Sequence, residues 1–313
     1  TYGERIQINQ CIAKDDDLAE AFDVVEHARE RIPLTYFEFG TLAALYIFSR
    51  NKLDVILLEA GLGGRLDAIN TVNSNLSCIT PIAIDHEAWL GHTRNQIGSE
   101  KAGILRYGSK AILNDYRVPD SITDRAERLK CKVRMIGRDF SFRISNDCLD
   151  WSADPTKWSA ASSYEGLHFP KQMDGAVLQN ASGAIAIVES MKPDLPVQER
   201  AIRVGLANAK LPGRVQVLGG EIERIFDVAH NVAAVANLGT FLDKFRPVKR
   251  NLAVFSMLKD KDLVKVVELM NSRISSWYLA ELDSPRATPL EELADVVSNY
   301  SNADIMLGRD PLQ

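Results

Sequence analysis

The stretch Asp54-Val-Ile-Leu-Leu-Glu-Ala-Gly-Leu-Gly-Gly-Arg-Leu-Asp67 sets the tightest limit on how this chain can fold. The apolar run Val55 to Leu58 reads as a strand buried on both faces, the pattern of a parallel sheet rather than a half-exposed antiparallel one. A carboxylate, Glu59, ends the run, and Gly61, Gly63 and Gly64 follow at once. Glycines at these positions remove side chains where the backbone must bend or let a ligand approach. In an open α/β sheet, a carboxylate and a glycine turn at the C-terminal end of a strand occupy the ligand crevice.

The flanking sequence supports that class. Glu4 to Ile8 alternates like a short strand. Asp15-Asp16-Asp17 opens a helix through Arg31, and Thr35 with Glu38 forms a capping-box pattern for the next helix. Leu76 to Ile84 reads as a second buried strand, running into Asp85-His86, and Thr93 to Leu105 as a helix. Strands at Lys110 to Leu113 and Lys132 to Ile136 bracket a helix near Ser121 to Leu129. Alternation of this kind gives a parallel sheet with helical crossovers. Phe140 to Trp151 reads as a hairpin and Ser152 to Gly166 as an exposed loop. Helices follow at Ala176 to Met191 and Val197 to Asn208. The texture then resets near Ala209 to Leu211, with strands at Arg214 to Leu218, Ile222 to Val228, Leu252 to Phe255, Trp277 to Ala280 and Asp304 to Leu307. Helices fall between them near Val232 to Phe245, Lys261 to Arg273 and Pro289 to Tyr300. The chain has 313 residues, a length that suits two domains, and we place them at 1–210 and 211–313.

A net charge of −5 argues against a nucleic-acid or membrane-surface binder, and no apolar run reaches membrane-span length. Cys11, Cys78, Cys131 and Cys148 lie far apart without a CxxC pair, which fits a reducing cytoplasm.

Three constellations could carry chemistry. Glu59 and His86 stand past the ends of two expected parallel strands with room for one crossover between them, so both side chains would face one crevice. A carboxylate and an imidazole there can hold a partly hydrated magnesium ion bridged to phosphates; each alone also suits a cap or turn. Lys101, in Glu100-Lys-Ala-Gly-Ile104, is either a solvated helical lysine paired with an acid or a packed lysine in need of a partner. In the second half, Phe226-Asp-Val-Ala-His-Asn231 ends a strand before a helix, a polar cluster suited to ribose or phosphate, or a turn acid with an N-cap. Met257-Leu-Lys-Asp-Lys-Asp262 reads first as a solvated turn. Gly61 to Leu66 lacks the third glycine of a dinucleotide fingerprint, and no G-x-x-x-x-G-K-[ST] phosphate loop occurs.

In this order, Leu34-Thr-Tyr-Phe-Glu-Phe39, Leu58-Glu-Ala-Gly-Leu-Gly-Gly-Arg-Leu-Asp-Ala68, Ile84-Asp-His86, Glu100 to Ile104, Leu211-Pro-Gly-Arg214, Asp227 to Asn231 and Met257 to Asp262 resemble the folylpolyglutamate synthase and dihydrofolate synthase family of the Mur ligase superfamily. The resemblance implies an α/β fold: a parallel-sheet, P-loop-type central domain, incomplete here, and a smaller Rossmann-like C-terminal domain. It implies an ATP-dependent ligase that joins L-glutamate to dihydropteroate or to folates. By motif, Glu59 and His86 resemble magnesium ligands, with potassium as a second cation, and Lys101 the lysine that becomes carbamylated; Lys101 and His86 are the catalytic candidates. Asn180, Arg214, Asp227 and His230 match nucleotide-contacting positions. Thr35, Phe37, Asp67 and Ala68 match the pterin pocket, and Lys261 faces the acyl phosphate or glutamate. The family also implies a cytoplasmic monomer working on small molecules.

Ile69 stands where the family has Thr, and Val232 where Pro commonly follows His-Asn. The absent phosphate loop leads us to expect an internal piece, lacking the family's first segment and last strand and helix, and inactive alone. The competing readings are a Mur-type ligase of peptidoglycan precursors and a non-catalytic folate-binding homologue.

Overall fold

The structure is a computed structural model that describes residues 2–157, 160–171, 173, 175–210, 212–245 and 250–308. Leu211 of the expected boundary and the terminal residues 309–313 lie outside them. The chain divides into two compact units, 1–135 and 136–313.

The first unit opens with α1 (Tyr2–Arg5) and the short antiparallel pair β1 (Gln7–Ile8) and β2 (Cys11–Ile12). The expected strand over Glu4 to Ile8 is therefore split: Glu4 and Arg5 end the helix, and only Gln7 and Ile8 are strand. Tyr2, on that helix, stacks on Tyr36 at 4.2 Å between ring centres and tilts against Phe22. Helix α2 (Asp15–Arg29) begins with three acids at its positive end and buries Leu18, Ala21 and Val25 against Ala43 and Ile47 of α3 (Tyr36–Ser49). The capping box of α3 is present: Glu38 N–H donates to Thr35 Oγ1, and Thr35 N–H to Glu38 Oε2 at 2.7 Å.

Strands β3 (Leu76–Ile79), β4 (Lys110–Leu113) and β5 (Lys132–Met135) form a parallel sheet in that order. The crossovers carry α4 (Glu87–Leu90), α5 (Arg94–Lys101) and α6 (Asp120–Arg128). Ile97, Ile122 and Ala126 of the helices close on Ile79, Ala111 and Leu113 of the sheet. The parallel α/β class therefore holds, with two corrections. Val55 to Leu58 forms no strand and belongs to no sheet, and Leu57 is 87% exposed. A strand exists only through its ladder, and among the described residues none pairs with this run, so the apolar pattern alone makes no strand. The expected strand from Leu76 to Ile84 stops at Ile79, and the following segment continues outside the sheet to His86. The helix expected through Leu105 ends at Lys101 and tightens into a 3₁₀ turn, Ala102–Ile104.

The second unit begins with an antiparallel sheet of β6 (Phe140–Ser145), β7 (Cys148–Ala153) and β8 (Ser162–Leu167). Strand β8 falls where the Ser- and Ala-rich sequence reads as loop. Its Tyr164 and Leu167 are buried, with Tyr164 beside Trp151, and this pairing outweighs the polar composition. Helices α7 (Gly175–Met191) and α8 (Glu199–Ala207) follow. Trp151 Nε1 donates to the Ser182 carbonyl of α7.

Next come an antiparallel pair, β9 (Gln216–Leu218) and β10 (Arg224–Phe226), helix α9 (Val232–Phe245), and a parallel sheet of β11 (Leu252–Phe255), β12 (Ser276–Ala280) and β13 (Asp304–Gly308), with α10 (Leu263–Met270) and α11 (Leu290–Tyr300) as crossovers. Val235, Val267, Trp277, Leu279, Leu293 and Val297 form their common core. Helix α10 starts two residues later than expected because Asp262 caps it, accepting Lys265 N–H at 3.2 Å.

Candidate active site

The glycine turn is packed backbone against backbone. A Cβ built on Gly64 would lie 2.8 Å from Ile104 Cγ2 and 3.2 Å from the carbonyl oxygens of both Glu100 and Lys101. A Cβ on Gly103 would come within 2.3 Å of Arg65 Cα, below any tolerable contact. The turn therefore sits directly on the end of α5 and the 3₁₀ turn that follows. The Phe37 ring, in the first turn of α3, lies against Gly61. Asp67 closes the turn internally: Oδ2 accepts Leu62 N–H at 3.0 Å and Oδ1 accepts Ile69 N–H at 3.1 Å. Ala68 starts the 3₁₀ turn that Asp67 caps. Thr35, Phe37, Asp67 and Ala68 thus belong to one neighbourhood through α3 and this turn. Both Asp67 oxygens serve the backbone.

Glu59 is exposed and its carboxylate has no partner among the described residues. His86 also presents an exposed ring without a partner there, and its backbone is left-handed at φ 53° immediately before α4. Neither stands at the end of a strand, contrary to the expectation from spacing: the first run is unpaired, and His86 lies beyond the end of β3. The segment leading to His86 is pinned instead by Asp115. Asp115 accepts Ile82 N–H at 2.9 Å and the Arg94 guanidinium at 2.6 Å, while Arg94 Nε donates to the Ile82 carbonyl. Sequence reading missed this anchor, since its members lie far apart along the chain.

Lys101 ends α5, half-buried. Of its two open readings, the solvated ion pair fails. The neighbouring Glu100 is taken by Arg65, and Lys101 has no carboxylate among the described residues. Burial holds its ammonium below the ordinary lysine range, so the neutral amine forms more readily. A hard cation that keeps several waters needs one or two protein donors. Glu59 offers the uncommitted carboxylate oxygen such an ion takes and His86 an uncommitted nitrogen, although no cluster of three or more His, Cys, Asp or Glu side chains that could hold a metal forms among the described residues.

In the second unit Arg214, Asp227 and His230 share one turn. Asp227 Oδ2 accepts Val215 N–H at 2.7 Å and Oδ1 accepts Ala229 N–H at 2.6 Å. Val228 N–H donates to the Gly213 carbonyl, with Gly213 at φ +67°. His230 Nδ1 lies 2.8 Å from the Val228 carbonyl, an acceptor only, so Nδ1 carries the proton and Nε2 remains for other work. Asn231 caps α9 by accepting Ala234 N–H. Arg214 is exposed. Asn180 lies exposed on α7. Lys261 is the buried one of this set, its side chain 9% exposed and its Nζ 3.5 Å from Asp260, which also binds Arg286.

A family model described as "Mur ligase, glutamate ligase domain" matches residues 213–310. The dihydrofolate synthase/folylpolyglutamate synthase of Escherichia coli strain K12 is 36% identical over 303 residues, spanning 97% of this chain and 69% of that protein. The chain belongs to the dihydrofolate synthase/folylpolyglutamate synthase family. The Bacillus subtilis enzyme of the same name is 28% identical, over 96% of this chain and 73% of its own length. Among solved structures, E. coli FolC in complex with DHPP and ADP superposes at a TM-score of 0.89 with 34% identity, covering 99% of this chain and 71% of that one. A bifunctional folylpolyglutamate synthase/dihydrofolate synthase with Mn, AMPPNP and L-glutamate bound gives 0.85 and 37%, covering 98% and 71%. The α/β architecture described above is thus the Mur ligase fold of this family.

Proposed function

We propose that the protein joins L-glutamate to dihydropteroate, forming dihydrofolate, and extends tetrahydrofolate with further glutamates, each time using ATP. The observation that carries this reading is the family match along nearly the whole chain, combined with relatives solved around the three substrate classes: a pterin, an adenine nucleotide and glutamate.

A free carboxylate is a poor acyl donor near neutral pH. Transfer of the ATP γ-phosphoryl group to the pterin-linked carboxylate gives an acyl phosphate and ADP. The glutamate amine then attacks the acyl carbon, and the tetrahedral adduct expels phosphate as the amide forms. Such chemistry depends on positioning and charge neutralisation more than on covalent help from the protein. Glu59 and His86 would hold a magnesium ion, which neutralises phosphate charge when bound, with potassium as a second cation. Lys101, half-buried and without an acid among the described residues, is suited to carbamylation; the product is an anion in place of a cation. Phe37 and Thr35 with Asp67 and Ala68 would border the pterin. Arg214, Asp227, His230 and Asn180 would meet the nucleotide, and Lys261 the acyl phosphate or the incoming glutamate. We place the domain boundary at 210/211 and assign the enzyme to the cytoplasm as a monomer without nucleic-acid or membrane partners. The free state of all four cysteines supports a reducing compartment.

Assay of protein made from the complete reading frame tests the reading. ADP release should require a pteroate or folate together with L-glutamate. Release that is indifferent to both, or that needs a nucleotide-linked peptide acceptor, would overturn it.

A further inference from the structure

The side chain of Arg65 leaves the glycine turn and reaches the end of α5. Its Nε lies 3.1 Å from each Glu100 carboxylate oxygen and its Nη2 3.0 Å from Oε1. Its backbone N–H donates to the Glu100 carbonyl at 2.8 Å. Main chain and side chain of one residue therefore grip main chain and side chain of another 35 positions away. Asn70 adds a second tie, its Nδ2 donating to the Arg65 carbonyl at 3.0 Å and the Gly103 carbonyl at 3.2 Å. Arg106 in turn fixes Asn70, reaching its carbonyl and its Oδ1 at 2.7 Å each. These ties bracket Lys101, with Glu100 before it and Gly103 after it.

An exposed ion pair contributes little to stability, and Arg65 is about half exposed. This pair is better suited to fixing geometry. The turn has no slack, because Gly64 and Gly103 already touch the opposing backbone. The pair also occupies the acid that adjoins Lys101 in sequence. We propose that Arg65 is a positioning residue: by gripping Glu100 it seats the glycine turn on the end of α5, holds the Lys101 side chain in place and keeps Glu100 from pairing with it. The catalytic part of this inference rests on the ligase reading of Lys101.

The test uses the full-length protein with Arg65→Ala, Arg65→Lys, Glu100→Gln, the double variant Arg65→Ala/Glu100→Gln, and the charge-reversed pair Arg65→Glu/Glu100→Arg. Two readouts are needed: kcat with KM for each substrate, and amide hydrogen exchange over residues 61–67 and 100–104. Misplacing a reacting group by about 1 Å can cost a factor of ~100, so Arg65→Ala should lower kcat at least ~10-fold while KM for ATP moves less than about 2-fold. Arg65→Lys should fall between wild type and Arg65→Ala. The double variant should be no worse than either single, as expected for partners in one contact. The reversed pair should recover part of kcat, and exchange in the two segments should accelerate together in Arg65→Ala. Additive losses, an unchanged kcat, or a reversed pair no better than the double variant would overturn the proposal. If wild type shows no pterin-dependent ligation but exchange still couples the two segments, the functional reading fails while the strap itself stands.

Discussion

Two turns, one in each unit, use the same device for different ends. Around Asp67 and around Asp227, an aspartate accepts one N–H from upstream and one from two residues downstream, and a nearby glycine is left-handed, Gly63 at φ +65° and Gly213 at φ +67°. The first turn is then clamped: Arg65 grips Glu100, and Gly64 and Gly103 leave no space between the strands of backbone. The second leaves Arg214 exposed and, among the described residues, the Nε2 side of His230 uncommitted. The same aspartate cap can hold a backbone platform rigid or hold a scaffold from which side chains reach out. The difference lies in what packs on the turn.

The comparison can be broken most sharply at Glu59. Replacing a group that supports transition-state charge typically costs a factor of about 100 to 1,000, so Glu59→Gln should lower kcat by that order. Stripping divalent metal with EDTA should abolish wild-type activity, and magnesium should restore it. A Glu59→Gln enzyme of near-normal kcat would remove the first turn's surroundings from the chemistry. Next come the two aspartates. Each holds two backbone N–H groups with a charged acceptor, so Asp67→Ala and Asp227→Ala should each lose about 2–3 kcal/mol in urea unfolding. At matched stability, Asp67→Ala should depress kcat and Asp227→Ala should raise KM for ATP. Identical kinetic signatures would dissolve the distinction drawn between the turns. Arg214→Ala should then raise KM for ATP about 10-fold, the loss of about 1.4 kcal/mol from one charge-assisted contact, with kcat nearly unchanged.

The smallest effect concerns pH. Burial in β3 pushes the Cys78 thiol up to about 11 from about 9. The folded chain then keeps a proton that the unfolded chain releases, so stability falls as pH rises through that window. Hydrogen exchange should show the first unit loosening before the second above about pH 9. Cys78→Ala should flatten the slope; an unchanged slope would assign it to other groups.

The cap at Thr35 was legible in sequence because capping is local: the donor and acceptor sit three residues apart. The parallel sheet over β3 to β5 was legible from alternation: β4 has its expected bounds, β5 is one residue shorter, and only β3 stops well early. Val55 to Leu58 misleads because an apolar run records a tendency to be paired without supplying the partner. Strand β8 was hidden for the opposite reason: its pairing and the burial of Tyr164 outweigh a polar, loop-like composition. The candidate site residues stand in short local motifs such as Asp227 to Asn231, which is why sequence can propose them. The Arg65–Glu100 grip and the Asp115 anchor were not, since each joins positions that share no local pattern.

Gly103 has a consequence for anyone reshaping this protein. With no room for even a methyl group against the Arg65 backbone, Gly64 and Gly103 stay glycine, and a change at Arg65 is confined to its side chain. Random diversification that includes them would spend most of its members on chains whose turn has lifted. A library aimed at a different acceptor would hold those three constant and vary 35, 37 and 68, where Thr35 is exposed and Phe37 and Ala68 half-buried at the edge of the same turn. The tightest packing in the site thus marks which part of the sequence is frame and which is open to change.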